Sequence, residues 1–214
     1  MSALVLHSAW RASAPYRVRI ALNLKGLAYA YAPVNLATGE QRQDAYRAVN
    51  RQSLVPALEV DGRILTQSLA IMEWLEEAYP TPHLLPADPL DRATVRAMAG
   101  IVACDIHPVN NLRILKALAA IGQDETARNA WVARWVAEGF DALEPMIVAH
   151  GEGWAFGASP TIADCCLIPQ VYNARRFGVD LSPWPAITSL ADQALAHPAF
   201  ADAHPDRQPD AVHA

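Results

Sequence analysis

The first 84 residues carry hydrophobic positions at two different periods. Residues 1–6 form a short apolar run typical of a strand, residues 15–25 show apolar positions at helical spacing, and residues 30–36 return to a strand pattern. Gly26 ends the helical stretch. A strand, a helix and a strand in this order predict two parallel strands joined by a right-handed crossover.

A second group of short elements follows. Residues 54–60 and 63–65 are apolar runs on either side of Asp61-Gly62, a dipeptide typical of a two-residue hairpin turn. Pro56 cannot donate to a strand ladder, so it marks an edge position or a cis bend. A helix with a buried apolar face is predicted over residues 67–79.

The rest of the chain is helical in pattern and begins after a proline-rich stretch. We predict an α/β domain over residues 1–84, a linker over 85–90 and an all-α domain over 91–214. Thr161 to Asp164 fits a structural capping box. The tail from His204, with two prolines and mixed charge, is predicted to be a loose extension packed only in part. Helices are predicted over four stretches: residues 91–120, 125–148, 161–177 and 186–195.

Composition places the chain among soluble globular proteins. Hydrophobic residues make up 52% and charged residues 18%, which excludes disorder outside the tail. No apolar run approaches the roughly 18 residues that span a membrane. A net charge of −5 argues against a nucleic-acid partner, so any basic site must be local. Because the N-terminus lacks a secretory pattern, a cytoplasmic location is expected.

The three cysteines, Cys104, Cys165 and Cys166, lie in apolar helical patterns. Their number is odd, and no Cys/His spacing typical of a metal site accompanies them. We therefore predict three buried thiols and no metal site.

The stretch Ser8 to Leu22 predicts an anion site. It reads as a strand that passes through a tight turn into the start of a helix. Backbone N–H groups around Ser13 and Ala14, together with the helix dipole, would favour a thiolate, a carboxylate or a phosphate. Three arginines either add positive charge to this site or are solvated surface residues: Arg11, Arg17 and Arg19.

The order of elements, with a Val-Pro pair at the third strand and a Gln-Ser pair opening the next helix, resembles the cytosolic glutathione transferase family. The resemblance covers nearly the full chain and implies a thioredoxin-like α/β domain followed by an all-α domain. One segment, Cys104 to Leu115, more narrowly resembles the bacterial maleylpyruvate isomerases of gentisate breakdown. Four others resemble the zeta class, which includes the maleylacetoacetate isomerases: Arg11–Ala21 with its core Arg17–Ala21, Gln67–Ile71, Leu167–Val171 and Asn173–Phe177.

This resemblance implies a glutathione site in the first domain. Val55 would offer its backbone N–H and C=O to the cysteinyl group of glutathione, held exposed by a cis bond before Pro56. Gln67 and Ser68 would bind the γ-glutamyl carboxylate at a helix N-terminus, and Gln52 would also reach the peptide. From the residues alone, Gln67 and Ser68 read equally as an ordinary helix cap.

The resemblance also implies a reaction. The glutathione thiolate adds to the double bond of a cis-enedione or enol diacid, the bond made single rotates, and the thiolate leaves, so glutathione is a cofactor that is not consumed. Arg11, Arg113 and Arg176 would hold the carboxylates and the developing enolate charge of this small dicarboxylate substrate, since a guanidinium makes two charge-assisted hydrogen bonds at once. His107 and Asn111 would share a helix with Arg113 and face the substrate, with His107 donating to a carboxylate or shuttling a proton.

Two assignments in that set have competing interpretations. Arg175 and Arg176 cannot both face the substrate, and Arg176 occupies the position that matches the family. His107 reads alternatively as a packed or capping residue beside Pro108.

The turn before the first helix departs from the zeta pattern, which usually carries a serine and a cysteine there. Here these positions are Ala12 and Ala14, and only Ser13 keeps a hydroxyl. Stabilisation of a thiolate would then rest on the backbone N–H of Ala14, the helix dipole, Arg11 and Ser13. The alternative is impaired catalysis or different thiol chemistry.

Three other side chains of this stretch are expected to be structural once the resemblance is taken into account. Tyr16 matches a packing aromatic rather than the thiol-activating tyrosine of other transferase classes. Arg17 and Arg19 lie on the helix that follows the site and are expected to serve structure or an interface.

The predicted function is that of a glutathione-dependent cis–trans isomerase acting on maleylpyruvate or maleylacetoacetate, between which the sequence does not choose. Two alternatives stay open: a glutathione-conjugating or dehalogenating transferase, and a non-catalytic binder of glutathione or organic anions. The alanines of the turn favour the binder, whereas His107, Asn111 and Arg113 count against it. By resemblance, a homodimer is also expected.

Overall fold

A computed structural model describes residues 3–212. Contacts divide the chain into two compact units, one formed by residues up to 83 together with residues from 196 onward, the other by residues 84–195. The division predicted from the sequence, into an α/β domain (1–84), a linker (85–90) and an all-α domain (91–214), stays a prediction. No helix among the described residues is long and apolar enough to cross a membrane.

The first unit is built on a mixed sheet of four strands in the order β2-β1-β3-β4. Strand β1 pairs in parallel with β2 and antiparallel with β3, which pairs antiparallel with β4. The predicted parallel crossover and hairpin are therefore confirmed. The elements before the linker are β1 (Leu4–Ser8), α1 (Ser13–Leu24), β2 (Ala30–Pro33), α2 (Asp44–Val49), β3 (Ala57–Val60), β4 (Arg63–Thr66) and α3 (Ser68–Ala78).

The hairpin between β3 and β4 depends on its two turn residues. Asp61 and Gly62 both have positive φ, 48° and 80°, as a type I′ turn requires. The Val55-Pro56 bond is cis and lies just before β3 begins at Ala57. Of the two alternatives predicted for Pro56, an edge position or a cis bend, the structure has the cis bend.

The C-terminal segment belongs to the first unit. Helix α9 (Pro198–Ala203) packs against α1, followed by a 3₁₀ turn over Pro205–Arg207. Phe200 is fully buried, and Asn23 of α1 donates to the carbonyl of Ala199 over 2.9 Å. The tail predicted from His204 is packed in part, as expected, since Pro205 and Gln208 are buried while Asp206, Arg207 and Pro209 are exposed. It is not loose, because the Trp10 N–H donates to the Asp210 carboxylate at 3.0 Å.

The second unit is helical throughout its regular structure. Helix α7 is its central element, since twelve of its fifteen residues are buried, from Ile162 to Ala174. The elements are α4 (Pro89–Gly100), a π-helical segment (Ile101–Ile106), α5 (Leu112–Ala120), α6 (Glu125–His150), α7 (Ile162–Arg176) and α8 (Pro185–Ala194).

The helix predicted over residues 91–120 is interrupted in the structure. Regular helix ends at Ile106 and resumes at Leu112. Pro108 has no N–H to donate and its ring conflicts with the preceding helical turn, which explains a break at this point. Asn111 then caps the new helix by accepting a hydrogen bond from the Arg113 N–H over 2.9 Å.

Asp164 links the start of α7 to the loop before it. One carboxylate oxygen accepts from the Thr161 N–H at 2.7 Å and the Thr161 hydroxyl at 2.9 Å, and the other accepts from the Ala155 N–H at 2.7 Å. Thr161 and Asp164 form the predicted capping box, which confirms its structural role. Burial raises the pKa of Asp164 to about 6 against the opposing effect of these hydrogen bonds.

The cysteines divide between interior and surface. Cys165 and Cys166 are buried as predicted, but Cys104 is exposed, because the outer face of the π-helical segment carries it. Within residues 3–212, no three His, Cys, Asp or Glu side chains are grouped so as to hold a metal ion.

Candidate active site

The N-terminus of α1 has the geometry of the predicted anion site. β1 ends at Ser8, the Ala12 N–H donates to the Ala9 carbonyl at 3.1 Å, and α1 begins at Ser13. Ala12 is the N-cap residue and has no side-chain oxygen to satisfy the first-turn N–H groups. The backbone N–H groups of Ser13 and Ala14 have no intrahelical acceptor, and they lie at the positive end of the helix dipole. A thiolate or carboxylate is the natural complement.

The three arginines of this stretch have different roles. Arg17 and Arg19 are only 1% and 0% exposed, so the interpretation as solvated surface residues is wrong for both. Arg17 donates to the Ser68 hydroxyl at 3.2 Å. Arg11 is exposed, and its guanidinium carbon lies 5.1 Å from the centre of the Trp10 ring. Of the three, only Arg11 has an exposed side chain, and its role toward a ligand stays a prediction.

Tyr16 is a packing residue in this structure. Its ring is 1% exposed and meets His204 edge-on at 6.2 Å between ring centres. The Arg19 guanidinium lies 5.1 Å from the centre of the same ring. These contacts match the expected packing role.

The N-terminus of α3 brings together the residues predicted to bind the γ-glutamyl group. Gln67 is the N-cap residue, with φ of 68°, a conformation that non-glycine residues rarely adopt. Its side chain makes no capping hydrogen bond and instead donates to the side-chain oxygen of Gln52 over 2.8 Å. Ser68 is the first helical residue. The ordinary-cap interpretation is therefore wrong for Gln67. The first backbone N–H groups of α3 receive no hydrogen bond from the Gln67 side chain, whose amide lies beside that of Gln52.

The loop that leads to Val55 is held by two buried side chains. The Asn50 amide and the Tyr46 hydroxyl both donate to the Leu54 carbonyl, each at 2.7 Å. Asn50 also accepts from the Gln52 N–H at 3.0 Å. Burial raises the pKa of Tyr46 to about 12, so its hydroxyl remains a neutral donor near pH 7.

Sequence reasoning did not single out Asn50 or Tyr46. The available signal was an asparagine directly after a short helical pattern and a few residues before Val-Pro, a place where asparagine side chains often organise a loop.

In the second unit, the helix break changes the expected arrangement of three candidate residues. His107 lies just after the π-helical segment, Asn111 is the N-cap of α5, and Arg113 is exposed in its first turn. The prediction that they share one helix is wrong, because the helix is interrupted between Ile106 and Leu112, where Pro108 lies. Neighbouring Asn110 is 3% exposed, and neither of its amide atoms has a hydrogen-bond partner within residues 3–212.

The two arginines at the end of α7 are engaged differently. Arg175 pairs with Asp192 of α8 at 2.7 Å. Arg176 donates to the Asn173 side-chain oxygen at 2.8 Å, and its guanidinium carbon lies 4.6 Å from the centre of the Phe177 ring. Arg175 is thus engaged by a carboxylate of α8, and the preference for Arg176 as a substrate ligand stays a prediction that comes from the family resemblance.

Comparison with known proteins extends this description to the whole chain. Residues 9–83 match the glutathione S-transferase N-terminal domain family. A maleylacetoacetate isomerase of Pseudomonas aeruginosa is 52% identical over 208 residues, covering 96% of this chain and 97% of that protein. The holo structure of maleylpyruvate isomerase, a bacterial zeta-class glutathione S-transferase, has a TM-score of 0.95 at 50% identity and covers 97% of this chain and 100% of that one.

A further solved structure contains glutathione. It is a maleylacetoacetate isomerase from Anaeromyxobacter dehalogenans with glutathione bound in its active site, 46% identical to this chain, with a TM-score of 0.90 and 99% coverage of both chains.

A mixed four-stranded sheet with helices, followed in the sequence by a helical unit, is the architecture of the glutathione transferases. The chain belongs to this family, in its zeta class of maleylacetoacetate and maleylpyruvate isomerases. The family and fold predicted from the sequence are confirmed.

Proposed function

We propose that this protein is a glutathione-dependent cis–trans isomerase that converts maleylpyruvate or maleylacetoacetate to the fumaryl isomer. The observation that carries the proposal is the likeness, at about half of all positions and over nearly the full chain, to a maleylacetoacetate isomerase and a maleylpyruvate isomerase. The geometry of the first unit supports it, since the helix start at Ser13 and Ala14 suits a thiolate.

The residues of the first unit fit glutathione as a cofactor. The Val55 backbone would pair with its cysteinyl group, and Pro56 fixes the backbone that follows. The N-terminus of α3 at Gln67 and Ser68 would receive the γ-glutamyl carboxylate, with the Gln52 amide beside it. In each proposed contact, a carboxylate or amide group of glutathione would pair with a hydrogen-bond donor or acceptor of this chain.

Bound glutathione would supply the thiolate that adds to the substrate double bond and leaves again after rotation. The N–H groups of Ser13 and Ala14 and the dipole of α1 would hold this thiolate and lower the pKa of its thiol, in place of the serine and cysteine side chains absent at Ala12 and Ala14. The Ser13 hydroxyl lies at the same helix start.

The remaining candidates are assigned to the dicarboxylate substrate. Arg11, Arg113 and Arg176 each present a guanidinium, a group that binds a carboxylate through two parallel hydrogen bonds. His107 would donate a proton to, or accept one from, the enolate oxygen. Asn111 uses its amide oxygen to cap α5, so its amide NH₂ is the part we assign to the substrate.

The test of this function is an assay with both cis diacids and a catalytic amount of glutathione. We expect loss of the enol absorbance and formation of the fumaryl isomer, with the total free thiol unchanged. Stoichiometric loss of thiol would identify a conjugating or dehalogenating transferase instead. Glutathione binding without any turnover of either substrate at high enzyme concentration would identify a non-catalytic binder.

A homodimer and a cytoplasmic location complete the proposal. Both stay predictions that come from the resemblance and from the sequence.

Asn50→Ala is expected to weaken glutathione binding about tenfold, because it removes one of two donors that fix the Leu54 carbonyl beside Val55 and frees the Gln52 N–H. Isothermal titration with glutathione measures the effect. Asn35→Ala is the matched control, since the Asn35 side chain organises a different loop by accepting from the Ala37 and Thr38 N–H groups. An unchanged dissociation constant for a folded Asn50→Ala protein would contradict the assignment of Val55.

A further inference from the structure

The C-terminal segment reaches back to the turn that precedes α1. Asp210 accepts a hydrogen bond from the Trp10 backbone N–H at 3.0 Å, across 200 residues of sequence. Its second carboxylate oxygen accepts from the Tyr31 hydroxyl at 2.6 Å. Both oxygens of Asp210 are therefore used within the first unit, and one of them fixes the peptide bond just before Trp10.

The peptide bond on the other side of Trp10 is fixed by Arg19. Its guanidinium donates to the Trp10 carbonyl at 2.8 Å, to the Ser8 hydroxyl at 3.1 Å and to the Ala203 carbonyl at 3.0 Å. A negative and a positive side chain thus hold the two backbone groups of one residue through charge-assisted hydrogen bonds, which are about twice as strong as neutral ones. Arg11 is the next residue along the chain.

The positive charge of Arg19 is buried among groups that include Asp210. Burial lowers the pKa of Arg19, and the carboxylate of Asp210 is among the nearby groups that raise it. Arg19 nevertheless remains a cation at any physiological pH. Burial and the hydrogen bond to Asp210 raise the pKa of Tyr31, which therefore stays a neutral donor to that carboxylate.

We propose that Asp210 is a positioning residue for the turn from Trp10 to Ala14, and that with Arg19 it sets the direction of the Arg11 side chain and of the first-turn N–H groups of α1. The proposal rests on the proposed function, because it assigns the C-terminal segment to the same thiolate site. In this proposal, a residue that follows α9 contributes to catalysis. The C-terminal segment could pack against α1 without that contribution.

Attachment of the segment does not depend on Asp210. Phe200 is buried in the first unit, Asn23 donates to the Ala199 carbonyl, and Arg19 donates to the Ala203 carbonyl. Gln208 donates to the carbonyls of Asp202 and His204, each at 2.9 Å, and closes the 3₁₀ turn onto α9. Removal of the Asp210 carboxylate should therefore release the turn at Trp10 while α9 stays in place.

The experiment compares Asp210→Ala and Asp210→Asn in the full-length protein. We expect Asp210→Ala to lower kcat/KM for the diacid about 10- to 100-fold, the range that a misplaced catalytic geometry costs. The pKa of the enzyme-bound glutathione thiol, followed by thiolate absorbance, should rise, while the dissociation constant of glutathione changes less than about threefold. Asp210→Asn keeps one acceptor oxygen and should fall between the wild type and Asp210→Ala.

Two further variants separate positioning from stability. Asp202→Asn is the matched control, because Asp202 lies in the same segment but pairs with exposed Arg207 at 2.7 Å, and it should leave every parameter unchanged. Tyr31→Phe removes only the second partner of Asp210 and should give a smaller loss than Asp210→Ala. If Asp210→Ala fails to fold, Asp210→Asn and Tyr31→Phe decide the matter through the same measurements.

Protection of the Trp10 amide against hydrogen exchange is a readout that does not require activity. It should be high in the wild type and lost in Asp210→Ala. Folded Asp210 variants with wild-type kcat/KM and an unchanged thiol pKa would overturn the inference. A wild-type protein that neither binds glutathione nor isomerises either diacid would overturn the proposed function itself, and the exchange of Trp10 would still show whether Asp210 holds the turn.

Discussion

Arg176→Ala is expected to lower kcat/KM for the diacid about 100-fold while changing the dissociation constant of glutathione less than about threefold. Arg176 ends α7 with an exposed guanidinium, and loss of a bidentate, charge-assisted contact to a carboxylate removes several kcal/mol of binding, on the order of 2 to 5. Steady-state kinetics with varied diacid, together with titration of glutathione, measure the two quantities separately.

Arg175→Ala is the matched control for this prediction. Arg175 is the adjacent residue of the same helix, but its exposed ion pair with Asp192 serves α8, and such pairs contribute only about 0 to 1 kcal/mol. Its removal should leave kcat/KM within about twofold. Arg176→Lys tests geometry, since lysine keeps the charge but not the planar fork. Equal losses in Arg175→Ala and Arg176→Ala would refute the assignment of the substrate carboxylate to Arg176.

Asp164→Ala is expected to reduce the free energy of unfolding by about 3 to 5 kcal/mol and the Tm by about 10 °C. The substitution leaves three buried donors without an acceptor: the Ala155 N–H, the Thr161 N–H and the Thr161 hydroxyl. Thermal unfolding followed by circular dichroism at pH 8 measures the change, because Asp164, with a pKa raised to about 6, is ionised there.

Asp124→Ala provides the comparison for stability. Asp124 is also a helix-capping aspartate, accepting from the Ala127 N–H at 2.8 Å at the start of α6, but it is exposed. Loss of an exposed cap costs about 1 kcal/mol, since water can replace the acceptor. Comparable losses from the two substitutions would show that burial of the Asp164 donors adds nothing. Asp164→Asn should fall near Asp164→Ala, because its NH₂ group would face donors.

Much of the fold could be predicted from the sequence because its signals are local. The Asp-Gly pair predicts a type I′ hairpin through the backbone angles it tolerates, and both residues have them. Thr161 and Asp164 form a capping box at the spacing that one helical turn imposes. The continuous helix predicted over residues 91–120 was wrong, because the chain leaves the helix around Pro108.

The candidate site was predicted only in part. Ser13 and Ala14 follow from a strand-to-helix pattern, and their N–H groups are at a helix start as expected. For Arg17 and Arg19 the charge pattern alone does not report burial, whereas the family resemblance indicated a role in structure or an interface, and both side chains lie inside the first unit. Their hydrogen bonds to Ser68 and to Ser8, Trp10 and Ala203 compensate a desolvation that the sequence does not reveal.

The sequence by itself determined the family, the parallel crossover and the hairpin of the first unit, and the helix start at Ser13. Each of these depends on residue types within a few positions of one another or on segments that match known relatives. Only the tertiary structure decided which arginines are interior, which side chains fix the loop before Val55, and that Asp210 holds Trp10. The reason is physical: a hydrogen bond between residues 200 positions apart depends on the path of the whole chain, which local propensity does not encode.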